Sequence, residues 1–554
     1  MARGKNVKAF KVLGGVLLIC LMLVCGAEAV DRSKFRKCGD TGFCRRYRGH
    51  VPKSHFHIDA SSISLPGQDG SIMRAKIIGG PEGSIPLDLA IHFYANGVAR
   101  MRVREPKTRW QPKEVILEEN LAYASNVEVV QRSASDIELK YGATGDQRVK
   151  LHLNPLRLEF FVNGEVAMTV NERNLFHFEH TRRRNGEVVT DDGMGNADER
   201  TARQLGDAQP QAGDVVEPPA GKKIVDYNEH GHAIYDDGTT SADEKAAEVG
   251  EEATKEGETP PPDVSEEEPS DGAWEESFGG HKDTKPFGPQ SVGIDVTFNG
   301  MQHVYGIPEH ATKFDLKSTT GSGAGYGEPY RLYNLDVFEY ELDVPMALYG
   351  AIPLMVGHNK KRTVAAFWFN PTETFIDVEE GSEGKRTHWI SEAGLADLFL
   401  MPGPNVRSLY AQYAEMTGTS QLPPTFSLGY HQCRWNYRDE ADVKAVDSKF
   451  EELDFPYDVI WLDIEHTNSK KYFTWDHNLF PKPKEMIDEV ASRGRKVVTI
   501  VDPHLKRDSS YRIHNEASAK GLYVRDKVSC PLTNTDCRAC PITAVIPESF
   551  LHVF

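Results

Sequence analysis

Three short clusters of polar and aromatic residues each follow a segment with the pattern of a β-strand. They comprise His431 to Trp435, Asp463 to His466, and the tripeptide Asp502-Pro503-His504. An Asp that follows a buried strand can accept two hydrogen bonds from sugar hydroxyls, because its carboxylate oxygens carry several lone pairs. The indole of Trp435 offers an apolar face to the C–H edge of a sugar ring. Together these residue types predict a carbohydrate-binding site.

Each of these residues also has a structural interpretation, and the sequence leaves the choice open. Asp463 is suited to cap the helix that follows it, and Trp435 to pack in an ordinary core. His466 and His504 have no close second ligand motif, which favours hydrogen-bonded structural histidines over a metal site. We therefore predict no metal and no cofactor.

The three clusters fall in a region where strand and helix patterns alternate after about Pro423. Successive strands start roughly 33 and 37 residues apart, which fits the βα units of a barrel whose active site lies at the C-terminal ends of the strands. The first helix begins at the caps Asp439 and Asp442, and its predicted buried face comprises Val443, Val446, Phe450 and Leu453. The predicted strands are 426–430, 459–462, 496–501 and 522–524, with a helix at 509–520 before the last.

The first part of the chain, from about His55 to Asn171, alternates apolar and polar residues with period two. One example is the run from Leu87 to Phe93, which the turn Asn96-Gly97 separates from a similar run from Ala99 to Val103. This pattern indicates β-hairpins, and its repetition predicts an antiparallel β-sandwich. Strand-like segments resume near Ser291, so we expect the intervening residues to interrupt the sandwich rather than end it.

The intervening segment 187–276 carries nearly all of the negative charge. It contains 26 acidic and 6 basic side chains, a net of −20, whereas the 554-residue chain has a net charge of −18. Because the segment is poor in aromatic residues and rich in Pro, Gly, Glu and Asp, we predict a disordered insertion. The remaining residues are close to neutral, at about +2, which gives no electrostatic footprint for nucleic-acid binding.

The N-terminus has the three-part layout of a secretory signal peptide. Three lysines precede an apolar run from Val12 to Val24, and Ala27-Glu28-Ala29 provides small residues for cleavage. We predict removal of residues 1–29 and no membrane attachment afterwards. The alternative, a retained membrane anchor, needs about 20 apolar residues, more than this run provides. In an oxidising lumen, Cys38 and Cys44 can form a disulfide or remain as thiols.

Longer motifs at several places in the chain carry a further signal. They are Gly429 to Gln432, Arg434 to Arg438, Asp458 to His466, Tyr472 to Asp476 and Val501 to His504 in the second part, and 273–276, 303–310 and 333–338 in the first. In this order they closely resemble glycoside hydrolase family 31. The resemblance extends from about Val30 to Val524, apart from the acidic insertion.

The resemblance implies a galactose-mutarotase-like β-sandwich followed by a (β/α)8 barrel, in a protein of the endoplasmic-reticulum lumen. It implies a retaining exo-α-glucosidase that removes α-1,3-linked glucose from N-glycans and works with a non-catalytic β subunit. It places Asp336 and Asp463 as ligands of the terminal glucose. Trp435 and His504 would line the same pocket.

The chain departs from the family pattern where the catalytic residues belong. Hydrolysis with retention needs a nucleophile and an acid/base whose carboxyl groups lie about 5 to 5.5 Å apart. The family has both as aspartates on later barrel strands, one of them in a Trp-Asn-Asp-Met-Asn-Glu-Pro-like motif, and the 554 residues contain no such motif. We therefore assign no catalytic residue and expect an incomplete barrel without activity of its own. The alternative function is a non-catalytic module that binds glycans or the β subunit.

The residues after Val524 no longer resemble the family, and we predict a divergent tail. Its residues Cys530, Cys537 and Cys540 include a Cys-x-x-Cys pair, but a zinc site needs a fourth ligand. The predicted fold class is multidomain, β plus α/β. The predicted order is a signal peptide at 1–29, a β-sandwich at 30–186 and 277–400 with the acidic disordered insertion at 187–276, the first strands of a (β/α)8 barrel at 401–524, and the tail at 525–554.

Overall fold

The computed structural model of the chain describes residues 35–49, 55–66, 71–81, 84–142, 147–182, 224–227, 233–235, 274–278, 281–337, 339–502 and 505–523. The predicted signal peptide, the predicted tail and most of the predicted insertion lie outside these residues. The chain divides into two compact units, one formed by Met1–Arg200 with Val264–Thr419 and the other by Thr201–Asp263 with Ser420–Phe554. No helix among the described residues combines the length and the hydrophobicity that a membrane span requires.

β-Strands make up most of the regular structure. In chain order they are β1 Phe56–Ser64, β2 Ile72–Gly79, β3 Leu87–Phe93, β4 Ala99–Arg104, β5 Glu128–Arg132, β6 Asp136–Tyr141, β7 Gln147–His152, β8 Arg157–Val162, β9 Glu165–Val170, β10 His177–Phe178, β11 Ile224–Tyr227, β12 Ala233–Tyr235, β13 Glu275–Phe278, β14 His281–Thr284, β15 Val292–Asn299, β16 His303–Gly306, β17 Tyr330–Leu332, β18 Leu354–His358, β19 Thr363–Trp368, β20 Thr374–Gly381, β21 Gly384–Ser391, β22 Ala396–Met401, β23 His431–Cys433, β24 Val459–Leu462 and β25 Lys496–Thr499. The α-helices are α1 Gly42–Tyr47, α2 Val406–Thr417, α3 Glu440–Glu452, α4 Pro483–Ser492 and α5 Arg512–Ala519. Short 3-10 helices lie at Cys38–Asp40, Glu118–Asn120, Thr425–Leu428, Ile464–His466 and Asn468–Lys470.

The strands of the first unit form two large antiparallel sheets. The eight-stranded sheet has the order β1-β2-β3-β4-β22-β19-β18-β16, and the ten-stranded sheet has the order β17-β20-β21-β15-β9-β8-β7-β6-β5, with β10 paired to β15. Buried side chains of both sheets share one core, for example Ile91 and Met101 of the first sheet and Leu158 and Trp389 of the second. The predicted antiparallel β-sandwich is confirmed.

The alternation of residues along the strands produces this core. Along β6, the side chains of Ile137, Leu139 and Tyr141 are buried, and the residues between them are half-buried. The predicted turn at Asn96-Gly97 reverses the chain between β3 and β4. Gly97 adopts a φ of 87°, which a residue without a Cβ reaches at no steric cost.

The strands before and after the acidic segment belong to the same sheet. β9 precedes the segment and β15 follows it, and Val170 lies opposite Val296 in their pairing. This pairing confirms that the segment interrupts the sandwich. Within 187–276, where we predicted no regular structure, β11 and β12 pair as a hairpin, and β13 begins at Glu275. Disorder of the other residues in this range stays a prediction.

A disulfide loop near the N-terminus packs on the sandwich. Cys38 and Cys44, whose pairing the sequence left open, are joined by a disulfide bond. Between them Phe43 is buried against Phe375 and Ile390 of the ten-stranded sheet. The apolar contact fixes the loop to the sheet, because exposing Phe43 would return its ring to water.

The second unit contains three parallel strands in the order β23-β24-β25. Strand β24 has the bounds that the sequence predicted, and β25 starts at the predicted Lys496 but ends at Thr499. Helix α3 follows β23 and helix α4 follows β24, as expected for successive βα units. The side chain of Asp439 caps α3 as predicted, by accepting a hydrogen bond from the backbone N–H of Asp442 at 2.8 Å.

Two predictions about this unit are wrong. The strand expected at 426–430 is a 3-10 helix over Thr425–Leu428, and β23 begins only at His431. Ser427 closes this turn, because its backbone N–H and its hydroxyl both donate to the carbonyl oxygen of Pro424. Leu453, expected on the buried face of α3, is 63% exposed and is the C-cap residue that follows the end of the helix at Glu452.

Helix α5 begins at Arg512, three positions after the predicted start at 509. The carboxylate of Asp508 accepts hydrogen bonds from the backbone N–H and from the hydroxyl of Ser510, which hold these residues in a turn instead of a helix. The strand predicted at 522–524 falls at the end of the described residues, which stop at Tyr523, and it stays a prediction.

Candidate functional site

The three parallel strands bring their C-terminal ends to one edge of the sheet. Cys433 of β23 lies opposite Trp461 of β24, and Leu462 of β24 lies opposite Thr499 of β25. The backbone N–H of Ile500 also donates to the carbonyl oxygen of Leu462 at 3.0 Å, which extends the last ladder by one bond. The residues that follow the strands, including Trp435, Asp463 and Asp502, therefore lie along this edge, where barrel proteins place their active sites.

Asp463 both caps a helix and keeps acceptor capacity. Its Oδ1 accepts a hydrogen bond from the backbone N–H of Ile464 at 2.7 Å, at the start of the 3-10 helix Ile464–His466. Its Oδ2 has no hydrogen-bond partner among the described residues, and the side chain is half-buried. The capping interpretation of Asp463 is thus correct and leaves one oxygen able to accept a hydroxyl from a ligand.

Trp435 does not pack in a core. Its side chain is 77% exposed, so the alternative in which it is an ordinary buried residue is wrong. The loop around it is held by its neighbour Arg434, whose guanidinium pairs with Asp442 at 2.6 Å and donates to the carbonyl oxygen of Asn436 at 3.0 Å. The same guanidinium stacks over the ring of Tyr437. These contacts fix the backbone while the indole faces solvent.

Cys433 is an exposed free thiol at the same edge; it falls in the predicted cluster from His431 to Trp435, but no role for it was predicted. Partial burial, together with the negative charge of Asp463, raises the pKa of the Cys433 thiol. In the register of the sheet, Cys433 lies opposite Trp461, two residues before Asp463. A lone cysteine has no distinctive spacing, and only the register between β23 and β24 reveals its position.

His466 is a structural residue, as the sequence favoured. Its ring is buried, its Nδ1 lies 2.7 Å from the carbonyl oxygen of Asp463, and it packs edge-on against Trp475. Burial lowers the pKa of His466, so the neutral imidazole is favoured in the fold. Among the described residues, no group of three His, Cys, Asp or Glu side chains is arranged to hold a metal ion.

Tyr472 and Asp502 form a second polar contact at this edge. The Tyr472 hydroxyl donates to Oδ2 of Asp502, which follows β25. The Tyr472 side chain is buried, and burial together with this hydrogen bond raises the pKa of its hydroxyl. The negative charge of Asp463 contributes to the same shift. The sequence identified Asp502 as part of a cluster and Tyr472 as part of a family motif, but it did not predict the contact between them.

Neither of the other two predicted site residues belongs to the described part of the second unit. Asp336 belongs to the first unit, where it is exposed on the segment between β17 and β18. The backbone beside it is held by a hydrogen bond from the N–H of Leu335 to the carbonyl oxygen of Leu348 at 2.8 Å. His504 lies outside the described residues. The roles of both residues stay predictions.

Comparison with known proteins identifies the family. A family model described as the glycosyl hydrolase 31 N-terminal galactose mutarotase-like domain matches residues 88–377, and one described as the glycosyl hydrolases family 31 TIM-barrel domain matches residues 420–549. The chain therefore belongs to glycoside hydrolase family 31. Its predicted fold class, a mutarotase-like β-sandwich followed by part of a (β/α)8 barrel, is confirmed. The second match includes most of 525–554, which we predicted as a divergent tail and which lies outside the described residues.

Within this family the chain is similar to α-glucosidases. It is 40% identical to neutral alpha-glucosidase AB of Dictyostelium discoideum, over 92% of this chain and 52% of that protein. A structure of the glucosidase II alpha subunit in an alpha3-Glc2-bound form aligns with a TM-score of 0.68 and 33% identity, over 89% of this chain and 49% of that one. A structure of an ER glucosidase II heterodimeric complex, which consists of a catalytic subunit and the binding domain of a regulatory subunit, aligns with a TM-score of 0.68 and 32% identity. This alignment covers 89% of this chain and 49% of that one. The chain spans about half the length of the curated relatives it matches.

Proposed function

We propose that this chain belongs to an α-glucosidase of the glucosidase II type and that its 554 residues bind the glucose of the substrate. The observation that carries the proposal is the arrangement at the C-terminal ends of β23 and β24, where the exposed indole of Trp435 and the half-buried carboxylate of Asp463 follow adjacent strands. Similarity to an alpha subunit whose structure contains alpha3-Glc2 supports α-1,3-linked glucose as the ligand.

The groups at this edge suit the chemistry of a pyranose ring. Sugar hydroxyls are hydrogen-bond donors, and Oδ2 of Asp463 has no donor among the described residues. The C–H face of the ring is apolar and packs well on an indole such as that of Trp435. Because Asp463 is half-buried, water competes less for its carboxylate, and a hydrogen bond from the ligand is stronger than on an open surface.

The complete reaction that we propose is hydrolysis with retention of configuration. It needs two carboxyl groups about 5 to 5.5 Å apart. The sequence contains no Trp-Asn-Asp-Met-Asn-Glu-Pro-like motif that would supply the nucleophile. We therefore propose that these 554 residues contribute glucose binding, and not cleavage of the bond, to the α-glucosidase. The second candidate function is a non-catalytic module that binds glycans or the β subunit. Release of glucose from the disaccharide by the purified chain would contradict this part of the proposal.

We further propose that the protein acts on N-glycans in the endoplasmic-reticulum lumen with a regulatory β subunit. The disulfide between Cys38 and Cys44 fits an oxidising compartment, and residues 1–29 have the layout of a signal peptide. The similar glucosidase II complex contains a regulatory subunit. Capture of the purified β subunit by the full chain tests the partnership, and failure to capture it would contradict this assignment.

Calorimetric titration of the full chain with the α-1,3-linked glucose disaccharide tests the proposed function. Asp463→Asn removes the charge but keeps the cap, since Asn and Asp cap helices equally well. We expect Kd to rise about ten- to a hundredfold, the value of a hydrogen bond to a charged group. Asp488→Asn is the matched control, because this exposed carboxylate on α4 pairs with Lys484. Absence of binding by the unsubstituted chain, or equal Kd values for the two variants, would contradict the proposal.

The same titration tests the two predicted ligands that the geometry leaves open. Asp336→Asn and His504→Gln are each expected to raise Kd if these side chains contact the glucose. An unchanged Kd for either variant would remove that residue from the proposed set.

A further inference from the structure

The hydrogen bond between Tyr472 and Asp502 is formed by a buried tyrosine whose position is fixed by its neighbours. The ring of Tyr472 is buried, with 1% of its surface exposed, and it packs in a cluster with Leu505, Tyr511 and Ala517. Its backbone carbonyl oxygen accepts a hydrogen bond from the hydroxyl of Tyr511 at 2.7 Å. The ring and the backbone of Tyr472 are thus both held, so its hydroxyl has a fixed position.

This fixed hydroxyl orients the carboxylate of Asp502 at the C-terminal ends of the parallel strands. Asp502 is half-buried, and its Oδ2 accepts the hydrogen bond from Tyr472. Within the described ranges its Oδ1 has no hydrogen-bond partner, and neither Asp502 nor Asp463 forms an ion pair. Two adjacent strands are therefore followed by carboxylates, Asp463 directly after β24 and Asp502 three residues after β25. Each uses one oxygen within the protein, and no described donor occupies the other.

The chemistry of such a pair points to a neutral donor as ligand. An ionised carboxylate only accepts hydrogen bonds, and a half-buried one is costly to leave without donors. Among the described residues, no cation pairs with either carboxylate, and no group of three His, Cys, Asp or Glu side chains is arranged to hold a metal ion. Hydroxyl groups on neighbouring carbons of a sugar ring supply two donors at once without bringing charge.

We infer that Tyr472 is a positioning residue, which orients Asp502 so that its Oδ1 accepts a hydroxyl of the same glucose ring that Asp463 binds. The inference rests on the proposed function and adds to it a second carboxylate ligand and the side chain that fixes it. Holding a ligand group in its bound orientation before the ligand arrives improves affinity, because less conformational freedom is lost on binding.

The test is a double-mutant cycle on the full chain, with the α-1,3-linked glucose disaccharide as probe and Kd as readout. Tyr472→Phe removes the hydroxyl and keeps the ring, and we expect Kd to rise about three- to tenfold. Asp502→Asn is expected to raise Kd by at least as much. In the Asp502→Asn background, Tyr472→Phe should have no further effect on Kd, because the tyrosine acts through this carboxylate.

A matched control separates positioning from simple stabilisation. Tyr457 is another buried tyrosine of the same unit whose hydroxyl donates to a carboxylate, that of Asp447. Tyr457→Phe should lower the thermal stability of the chain and leave Kd of the folded protein unchanged. A rise in Kd for this variant equal to that for Tyr472→Phe would show that both act through stability and would overturn the inference.

The remaining outcomes separate failure of the inference from failure of the proposed function. If the unsubstituted chain binds the disaccharide and Asp463→Asn weakens binding, but Asp502→Asn and Tyr472→Phe do not, the inference alone is wrong. If the effects of Tyr472→Phe and Asp502→Asn on Kd simply multiply, Tyr472 does not act through Asp502, and the inference is also wrong. If the unsubstituted chain does not bind the disaccharide, both statements fail.

Discussion

Two carboxylates at opposite ends of the three parallel strands in the second unit, those of Asp447 and Asp463, differ in the partners that surround them. At the N-terminal end, the Asp447 carboxylate is buried and surrounded by donors. The hydroxyl of Tyr457 and the guanidinium of Arg493 donate to it, and the guanidinium of Arg495 does so at 2.9 Å. At the C-terminal end, Asp463 is half-buried and forms no ion pair with any described residue.

This difference separates residues that stabilise the unit from residues that are available to a ligand. A buried carboxylate is tolerated only with partners, and removal of one member leaves the others buried and uncompensated. A carboxylate without a full set of donors contributes less to the stability of the fold, but its unused oxygen can accept a hydrogen bond from a ligand. The exposed indole of Trp435 lies at the same C-terminal end, which strengthens the assignment of function to that edge.

The largest expected effect is at the N-terminal end. Asp447→Ala leaves the guanidinium of Arg495 without its buried partner, and we expect a loss of about 3 kcal/mol in the free energy of unfolding. Hydrogen exchange of the amides in α3 and β24 is the measurement that assigns the loss to this unit. Glu452→Ala, at the exposed end of α3, is the control and is expected to cost less than about 0.5 kcal/mol. Equal losses for the two variants would remove the distinction between the two ends.

Truncation of the exposed indole should weaken ligand binding and leave the free energy of unfolding nearly unchanged. Trp435→Ala is expected to raise Kd for the α-1,3-linked glucose disaccharide about fivefold, equivalent to about 1 kcal/mol of aromatic contact. The free energy of unfolding should change by less than about 0.5 kcal/mol, since 77% of this side chain is exposed. Leu428→Ala, another exposed apolar side chain of the unit, should change neither quantity. Loss of stability in Trp435→Ala without a change in Kd would assign the indole to packing.

The thiol at the C-terminal end provides a covalent probe of the same edge. Since the negative charge of Asp463 contributes to the raised pKa of Cys433, Asp463→Asn should lower that pKa and speed alkylation of Cys433 by iodoacetamide near pH 8 about twofold or more. Saturating disaccharide should slow alkylation in the unsubstituted chain. Peptide mass mapping measures both rates at this residue, and rates that do not respond to the disaccharide would place Cys433 away from the ligand.

The smallest expected effect is the pH dependence contributed by His466. Burial lowers the pKa of His466 below the unfolded value of about 6.5, so the fold favours the neutral ring. Its contribution to stability is therefore fully present above about pH 6.5 and is lost as the pH falls below that value. In His466→Gln, the change in unfolding free energy between pH 7 and pH 5 should be smaller by about 1 kcal/mol or less. Identical pH profiles would show that this histidine is not held neutral by the fold.

Local patterns were sufficient to predict much of the fold. Alternation along strands such as β6 identified the sandwich, and the short apolar run Val459–Leu462 was predicted with its observed bounds. The prediction of a strand at 426–430 is wrong, because the hydrogen bonds from Ser427 to Pro424 outweigh the apolar character of Phe426 and Leu428. Hydrogen bonds between a side chain and the nearby backbone are invisible to a hydrophobic pattern.

The candidate site was predicted in part, for a similar reason. Asp463 and Trp435 stood out because they follow apolar strand patterns, although the exposure of Trp435 required the structure. Tyr472 belongs to a motif that the sequence shows, but its contact with Asp502 could not be predicted, because Asp502 lies 30 positions further along the chain. The position of Cys433 at this edge is likewise shown only by the parallel register between β23 and β24.

The most direct test compares carboxylates at the two ends of the sheet in one experiment. Asp447→Asn and Asp463→Asn each remove one charge with little change in shape, and both are measured for free energy of unfolding and for Kd with the α-1,3-linked glucose disaccharide. We predict that Asp447→Asn lowers stability and leaves Kd of the folded chain unchanged, whereas Asp463→Asn raises Kd and leaves stability nearly unchanged. Loss of stability without loss of binding in Asp463→Asn would contradict this prediction.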